Sequence, residues 1–442
     1  MANRRLEGES KVSEQVINGA KYVSQFFEKA PNRSFAVERI LGQGSWGFTL
    51  QMAMKSNGTP ESSSSSTASQ APGLRPLPSL PDMPSSRSLN PTGLPPGLPG
   101  LNPASQPSGR LGGLGSSRGG TGNTKRFVLK RSLAEVGEKN ITKEIDALDR
   151  LRGSIHIAQP SHVLDTPAWD QVTRSLKGPT LLMDWIENGL LWKFYERRSE
   201  LDEPLPNRLL WSLFLCLCRM IVALAWPPRD LGRKAGREPE LEVLPPRNAR
   251  GERPPKSRLL HGDFHGQNIM IDKLESKEHR LVPMLKLIDF GMARDLPERA
   301  NEPEDTVSKT NIRAIGEVML GLLRGNIRGG PSMMSVMHKG QGKTINSYAT
   351  DLDGLSSKYR APAAVVSKHQ DRMYNLDQDI RSLVALCVAV RVEDRPDIED
   401  LLGAVEANAR NKKPTDYRNY KYANNETDAA IQRIVQDYMF NA

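Results

Sequence analysis

Two short segments, about twenty residues apart, constrain this chain more than anything else in it. The first runs Leu259-Leu260-His261-Gly262-Asp263-Phe264-His265-Gly266-Gln267-Asn268-Ile269-Met270-Ile271-Asp272, and the second is Leu287-Ile288-Asp289-Phe290-Gly291. Asp263 precedes Asn268 by five positions and an apolar, strand-like run follows; Asp289 closes a second apolar strand. The stretch 268–288 therefore reads as a hairpin of two apolar strands around a charged turn. Phosphoryl transfer needs a carboxylate to orient the attacking hydroxyl and oxygen donors for a cation on the phosphates. Asp263 suits the first task, and Asn268 and Asp289 suit Mg²⁺, a hard cation that prefers oxygen ligands. A carboxylate ending a buried strand is costly without a cation or donors, which argues that Asp289 has one. His261 reads as a backbone partner on the buried side. His265, two residues after the acid, could touch a transferring phosphate as a cation; its other reading is an exposed loop histidine.

Upstream, Gly42-Gln43-Gly44-Ser45-Trp46-Gly47 lies between strand-like runs Phe35–Leu41 and Phe48–Met54. A dinucleotide-binding turn would lead into a helix, whereas here a strand follows, as in loops that cover nucleotide phosphates. Glycines let the backbone approach phosphates without a Cβ in the way. Lys130 follows the apolar strand Phe127-Val128-Leu129, where an ammonium can neutralise phosphates if a carboxylate holds it. Glu144 is the candidate, because Ile141, Ile145, Leu148 and Leu151 give its surroundings helical periodicity. Glu135 and Glu138 are rivals without that periodicity.

Around these motifs the chain divides readily. Residues 10–29 read as an amphipathic helix with Val12, Val16, Ile17, Val23 and Phe27 on one side. Residues 56–124 are rich in Ser, Pro and Gly and carry too little apolar surface to offset ordering entropy, so disorder is expected there. Leu181–Trp185 reads as a buried strand, and residues 206–225 as a helix with a broad apolar face. Pro- and Arg-rich residues 227–257 read as a loop, and everything after Thr310 as mainly helical. The last part, from Asn411, is a polar stretch followed by a short helix carrying Ile431, Ile434 and Tyr438.

The formal charge of the 442-residue chain is +10. Lys and Arg are scattered among acids, however, and the densest basic stretch, Arg229 to Arg258, also holds Asp230, Glu238, Glu240, Glu242 and Glu252. A solvated surface explains this without nucleic acid as a partner. Cys216, Cys218 and Cys387 sit in apolar runs, which fits buried free thiols in a reducing compartment, and their spacing forms no metal-ligand pattern. The helix Leu209–Trp226 is interrupted by Ser212, Cys216, Cys218 and Arg219, which speaks against a membrane span. The N-terminus lacks an apolar signal core. The expectation is a soluble intracellular protein, cytoplasmic or nuclear.

Taken in order, these residues resemble the eukaryotic protein kinase family from Phe35 to about Val405. Gly42, Gly44 and Gly47 look like its phosphate loop, and Lys130 with Glu144 like its small-lobe ion pair. Leu181 to Gly189 is similar to the last small-lobe strand and hinge. The resemblance makes Met183 the gatekeeper and has the backbones of Asp184 and Ile186 hydrogen-bond adenine. His261-Gly262-Asp263 with Asn268 resembles the catalytic loop, and Asp289-Phe290-Gly291 the metal-binding motif. Ile315–Gly325 looks like the central large-lobe helix, and Arg391–Leu402 like the late turn and final helix. The implied fold is α+β and two-lobed, with a small antiparallel sheet plus one helix and a larger, mainly helical lobe. The boundaries are an N-terminal helical extension at 1–34, a small lobe at 35–187 holding the insert, a large lobe at 188–409 and a tail at 410–442. The implied cofactors are ATP and Mg²⁺, and the implied acceptor is a hydroxyl of protein Ser or Thr.

The departures from the family are specific. Gly262 replaces the usual Arg, so no cationic pocket awaits a phosphorylated activation loop. The stretch between Gly291 and the central helix is short and lacks Ala-Pro-Glu. Arg395 thereby loses its usual partner, with Glu304 or another acid as the replacement. Asn311 stands in place of an Asp that hydrogen-bonds the catalytic loop, and His265 in place of a Lys. Transfer without phosphorylation control is the expectation, with Thr306, Ser308 and Thr310 as the hydroxyls that would test it. His-Gly-Asp loops are also similar to small-molecule kinases of the aminoglycoside and choline phosphotransferase group, although those usually lack Phe-Gly after the metal Asp and the late Arg-Pro turn. A third reading is a non-catalytic scaffold presenting the insert. There Arg75-Pro76-Leu77-Pro78-Ser79-Leu80-Pro81 fits a pattern that polyproline II geometry offers to SH3 grooves.

Overall fold

The structure is a computed structural model that describes residues 12–29, 35–44, 47–54, 125–133, 135–161, 176–198, 200–201, 203–232, 239–275, 277–300, 302–303, 305–324, 330–352 and 375–440. The insert at 56–124, with the Arg75–Pro81 motif, lies outside them.

A four-stranded antiparallel sheet forms the small lobe. It comprises β1 (Phe35–Gln43), β2 (Gly47–Met54), β3 (Lys125–Ser132) and β4 (Thr180–Asp184), in that order. Met54 pairs directly with Lys125, so the sheet closes across the insertion point as a hairpin would. Loop-closure entropy grows slowly with length, which is why such a lengthy connection is tolerated. Alternation in β3 decides where the chemistry points. Phe127 and Leu129 are buried on one face, while Val128 and Lys130 take the other. The buried face is covered by helix α1 (Glu14–Lys29), whose Val16, Ala20, Val23 and Phe27 pack with Leu50, Met52, Phe127 and Leu129. Helix α2 (Glu135–Arg150) packs on β3 and β4 and places Ile141, Leu148 and Leu151 in the main core.

The larger lobe is mainly helical. Its elements are α3 (Leu191–Arg198), α4 (Asn207–Ala225), α5 (Thr306–Arg324), α6 (Gln378–Cys387), α7 (Ile398–Asn411) and α8 (Asp428–Ile434). Helix α4 is long and apolar enough to cross a membrane, but nearly all of it is buried inside this lobe. A helix that is hydrophobic all round belongs in such a core. Arg219, almost fully buried on α4, is matched by Glu278 at 2.8 Å and Glu406 at 2.9 Å. The short strands β5 (Leu259–Leu260), β6 (Ile269–Ile271), β7 (Leu285–Leu287) and β8 (Arg294–Asp295) pair as β6 with β7 and β5 with β8. The first pair is the hairpin expected from the sequence.

The region after Thr310 is mainly helical, as expected, but it also holds an antiparallel hairpin that the sequence reading did not find, β9 (Ser332–His338) with β10 (Gln341–Ser347). Met334, Val336, Ile345 and Ser347 alternate inward, and the two-residue turn Lys339-Gly340 has positive φ at both positions (48° and 76°). That turn matches strand twist, and glycine adopts it at no steric cost. The C-terminal residues include the short helix expected there, α8, and they also cap α4. Buried Glu426 accepts hydrogen bonds from the backbone N–H groups of Asn207 (2.7 Å) and Arg208 (3.0 Å), at the first turn of α4. Those amides are the donors a helix leaves unpaired, and a carboxylate there opposes the helix dipole favourably. Ile431 on α8 is fully buried.

Candidate active site

Lys130 lies on the cleft face of β3, and its ammonium is shared. It lies 2.6 Å from Glu144 Oε2 and 2.7 Å from Asp289 Oδ1. Of the three acids considered on α2, Glu144 therefore reaches the lysine. Its side chain is fully buried, and its other oxygen accepts from the Phe290 amide at 3.3 Å. Burial pulls the Lys130 pKa down, but Glu144 and Asp289 outweigh it and leave the value raised. Burial pushes the Asp289 carboxyl up, yet the Lys130 ammonium outweighs this and holds it below the usual range. Asp289 has φ 61°, unusual for a residue with a side chain, and its Oδ1 accepts from the Gly291 amide at 3.3 Å. A short polar side chain that bonds its own turn offsets part of the left-handed penalty of about 1–2 kcal/mol.

The loop after β5 converges on the same place. The Asn268 amide nitrogen donates to the Asp263 carbonyl (2.8 Å) and to Asp263 Oδ2 (2.9 Å), and a 3₁₀ turn at Gly266–Asn268 sets that approach. His265 places Nε2 3.1 Å from Asp263 Oδ1, and its Nδ1 accepts from the Gln267 amide at 3.2 Å. It is half exposed, and its side-chain contact in the site is Asp263. His261 is fully buried. It donates from Nε2 to the Ile288 carbonyl (3.1 Å), while Nδ1 accepts from the Asp263 amide (3.3 Å). Burial pulls its pKa down to about 4, so at neutral pH it is an uncharged bridge between the two motifs. Asn311 on α5 clamps the loop, accepting from the His261 amide at 3.3 Å and donating to the Leu259 carbonyl at 3.0 Å.

Gly262 has φ 82°, and a Cβ there would sit 2.6 Å from the Met292 carbonyl oxygen. The residue that separates this loop from the kinase pattern is thus one that the backbone itself requires.

A cleft of about 610 Å³ lies over these groups. Its lining includes Lys130, Glu144, Asp263 and Asp289, with Leu41, Val128, Ala158, Met183, Ile186, Leu190, Met270 and Ile288 as apolar walls. Gly42, Gly44 and Gly47 edge it, as does Asp184. The three glycines differ in their reasons. A Cβ at Gly47 would come 2.1 Å from the Arg131 carbonyl oxygen, so β3 demands that glycine; Gly42 has nothing within 4 Å. Ser45 and Trp46 lie outside the described residues.

Several contacts had no sequence signal. Arg258, at the end of the densest basic stretch, donates to the carbonyls of Leu296 (2.6 Å) and Pro297 (2.7 Å) and to Glu302 (2.6 Å). Lys256 pairs with Asp305. Arg150, at the end of the Glu144 helix, bonds Asp295 at 2.7 Å. The described residues between 292 and 303 are thereby anchored at several points. Thr306, Ser308 and Thr310, expected ahead of the central helix, belong to its first turns, and Ser308 is buried. Among the described residues Arg395 is held by the carbonyls of Ala389 (3.0 Å), Lys309 (3.3 Å) and Val390 (3.3 Å); Glu304 lies outside them.

Residues 117–295 match the model of a family described as the phosphotransferase enzyme family, APH. The matched span is less than half of the chain and runs from before β3 to the end of β8, so it takes in Lys130, Glu144, Asp263, Asn268 and Asp289. It implies a phosphotransferase of the kinase-like superfamily. No curated protein sequence is similar to the chain.

Proposed function

We propose that this chain transfers the γ-phosphoryl group of ATP to a hydroxyl, with Mg²⁺ as the metal. One observation carries the reading: Lys130 lies between Glu144 and Asp289, in the same cleft that Asp263 lines from the other motif. Asp289 and the amide oxygen of Asn268 are the hard donors that would hold the metal. When bound, Mg²⁺ supplies charge neutralisation on the phosphates. Lys130 neutralises further phosphate charge, and Glu144 keeps it aimed. Asp263 orients the acceptor hydroxyl and takes its proton. Asn268 fixes the Asp263 carboxylate, and His265 holds its second oxygen. The apolar walls at Val128, Ala158, Met183 and Ile288 suit a flat base, with the backbones of Asp184 and Ile186 as its hydrogen-bonding edge. Catalysis on this reading is positioning plus electrostatics.

The acceptor is a small-molecule alcohol on this reading, because the family match and Gly262 both lean that way. A protein Ser or Thr is the second reading, favoured by Phe290-Gly291 and the Arg395-Pro396 turn. Activity is independent of phosphorylation, since Arg258 and Lys256 already engage carboxylates of this chain. The test is Mg-ATP thermal shift together with ATP consumption against a panel of aminoglycoside- and choline-like alcohols, generic peptides and the protein itself. Lys130→Met and Asp263→Asn are the controls. Consumption stimulated by alcohols alone selects the first reading, and peptide labelling or autophosphorylation the second. No Mg-ATP shift and no turnover would reject both and leave a scaffold.

A further inference from the structure

Apart from the residues that line the cleft, four side chains from four separate stretches of chain meet. His156 lies in the link between α2 and β4, Cys216 midway along α4, Glu242 ahead of β5, and His279 between β6 and β7. All four are buried. Glu242 grips His156 twice: Oε2 accepts from Nδ1 at 2.6 Å and Oε1 from the backbone amide at 2.8 Å. With Nδ1 carrying the proton, the His156 lone pair is on Nε2 and points into the cluster. A carboxylate behind a histidine in this way is the usual support of a metal-ligating imidazole. His156 Nε2 is 3.1 Å from His279 Nε2, and Cys216 Sγ is 3.7 Å from His279 Nδ1. Taking one donor atom from each of the three residues gives a set lying within 4.8 Å of one another. Around tetrahedral zinc, bonds of about 2.0–2.1 Å to nitrogen and about 2.3 Å to sulfur place donors roughly 3.3–3.7 Å apart.

We infer that His156, His279 and Cys216 form a buried site for Zn²⁺, with Glu242 as the carboxylate that orients His156. The ion takes Nε2 of His156, one ring nitrogen of His279 and the Cys216 thiolate, and water completes the tetrahedron. Binding releases the thiol proton to solvent. The charges then balance, since one thiolate and the Glu242 carboxylate offset the divalent ion. A soft thiolate with imidazoles also selects this metal over Mg²⁺, which keeps the site separate from the one at Asn268 and Asp289. The role is structural. The His156 carbonyl accepts from the Leu287 amide at 2.9 Å, and the Leu287 carbonyl accepts from the Ala158 amide at 2.9 Å. The ion would therefore secure the strand that delivers Asp289 two residues later.

The test uses the full chain, untagged and purified without chelator. Elemental analysis by mass spectrometry should find about one zinc per chain after desalting. Cys216→Ser and His279→Gln should lose it, and a strong chelator should lower the Tm of the wild type. Should those variants fail to fold, the wild type stripped and refolded with Co²⁺ should show a thiolate-to-cobalt charge-transfer band. Two results overturn the inference: a wild type that holds no zinc and whose Tm ignores zinc and chelator, or zinc retained in full by Cys216→Ser. The first leaves a hydrogen-bonded chain from Glu242 to Cys216. Zinc content is read without nucleotide, so failure of the phosphotransfer reading does not touch it.

Discussion

Lys130 and Asp289, 159 positions apart in the chain, meet at 2.7 Å, and the same ammonium is 2.6 Å from fully buried Glu144. Removing the lysine strands a carboxylate without water or cation. Lys130→Met should cost about 3 kcal/mol in urea unfolding, the scale for breaking a buried pair from one side. Adding Glu144→Gln should recover most of that stability and none of the ATP turnover, which should stay down at least about 100-fold. Equal losses in the single and double variants would deny the pairing its energetic role.

Gly262→Ala should destabilise by about 2 kcal/mol or more. The substitution combines a left-handed backbone with a Cβ at 2.6 Å from the Met292 carbonyl oxygen. Gly262→Arg, which would restore the kinase-like sequence, should be worse still. A urea midpoint unchanged in either variant would contradict the geometry.

Titrating His261 provides a pH signature. Its pKa is about 4 in the folded chain against an ordinary value near 6.5. Above pH 6.5 the ring is neutral in both states and its contribution is intact. As pH falls from 6.5 to 4 the unfolded chain takes up a proton that the folded chain refuses, so stability falls. The full loss is about 3 kcal/mol. His261→Gln should be less stable at pH 7 but flatter across this window. Parallel Tm curves for the two proteins would place the titration elsewhere.

Arg258→Met should free the stretch after Gly291 by removing bonds to Leu296, Pro297 and Glu302. Limited proteolysis near 295–303 should accelerate and ATP turnover should drop about tenfold or more, while phosphatase treatment of the wild type changes nothing. Loss of turnover on phosphatase treatment would return control to phosphorylation.

Much of the site was legible in the sequence because local periodicity carried it. Lys130 stood out at the end of an apolar run between the Gly loop and a Glu-bearing helix, helical spacing picked Glu144 over Glu135 and Glu138, and Asp263 with Asn268 are close enough in sequence to read together. What escaped notice depended on distance along the chain. His156, Cys216, Glu242 and His279 share no local motif. Arg258 closed a basic stretch whose composition said only that it was charged. The β9–β10 hairpin escaped for a different reason: its inward positions are Met334, Val336, Ile345 and Ser347, while Met333 and Met337 face outward, so apolar residues on both faces blur the alternation unless the Lys339-Gly340 turn is noticed.

The cap on α4 has a temporal side. Asn207 and the Glu426 carboxylate that completes its helix are 219 positions apart. During synthesis α4 therefore emerges 219 residues before the carboxylate that caps it, with its apolar surface made and its first amides unpaired. The first turn of α4 is completed only once the residues around Glu426 have been made. Glu426→Ala should thus slow refolding and lower yield more than its cost of about 2 kcal/mol at equilibrium would suggest.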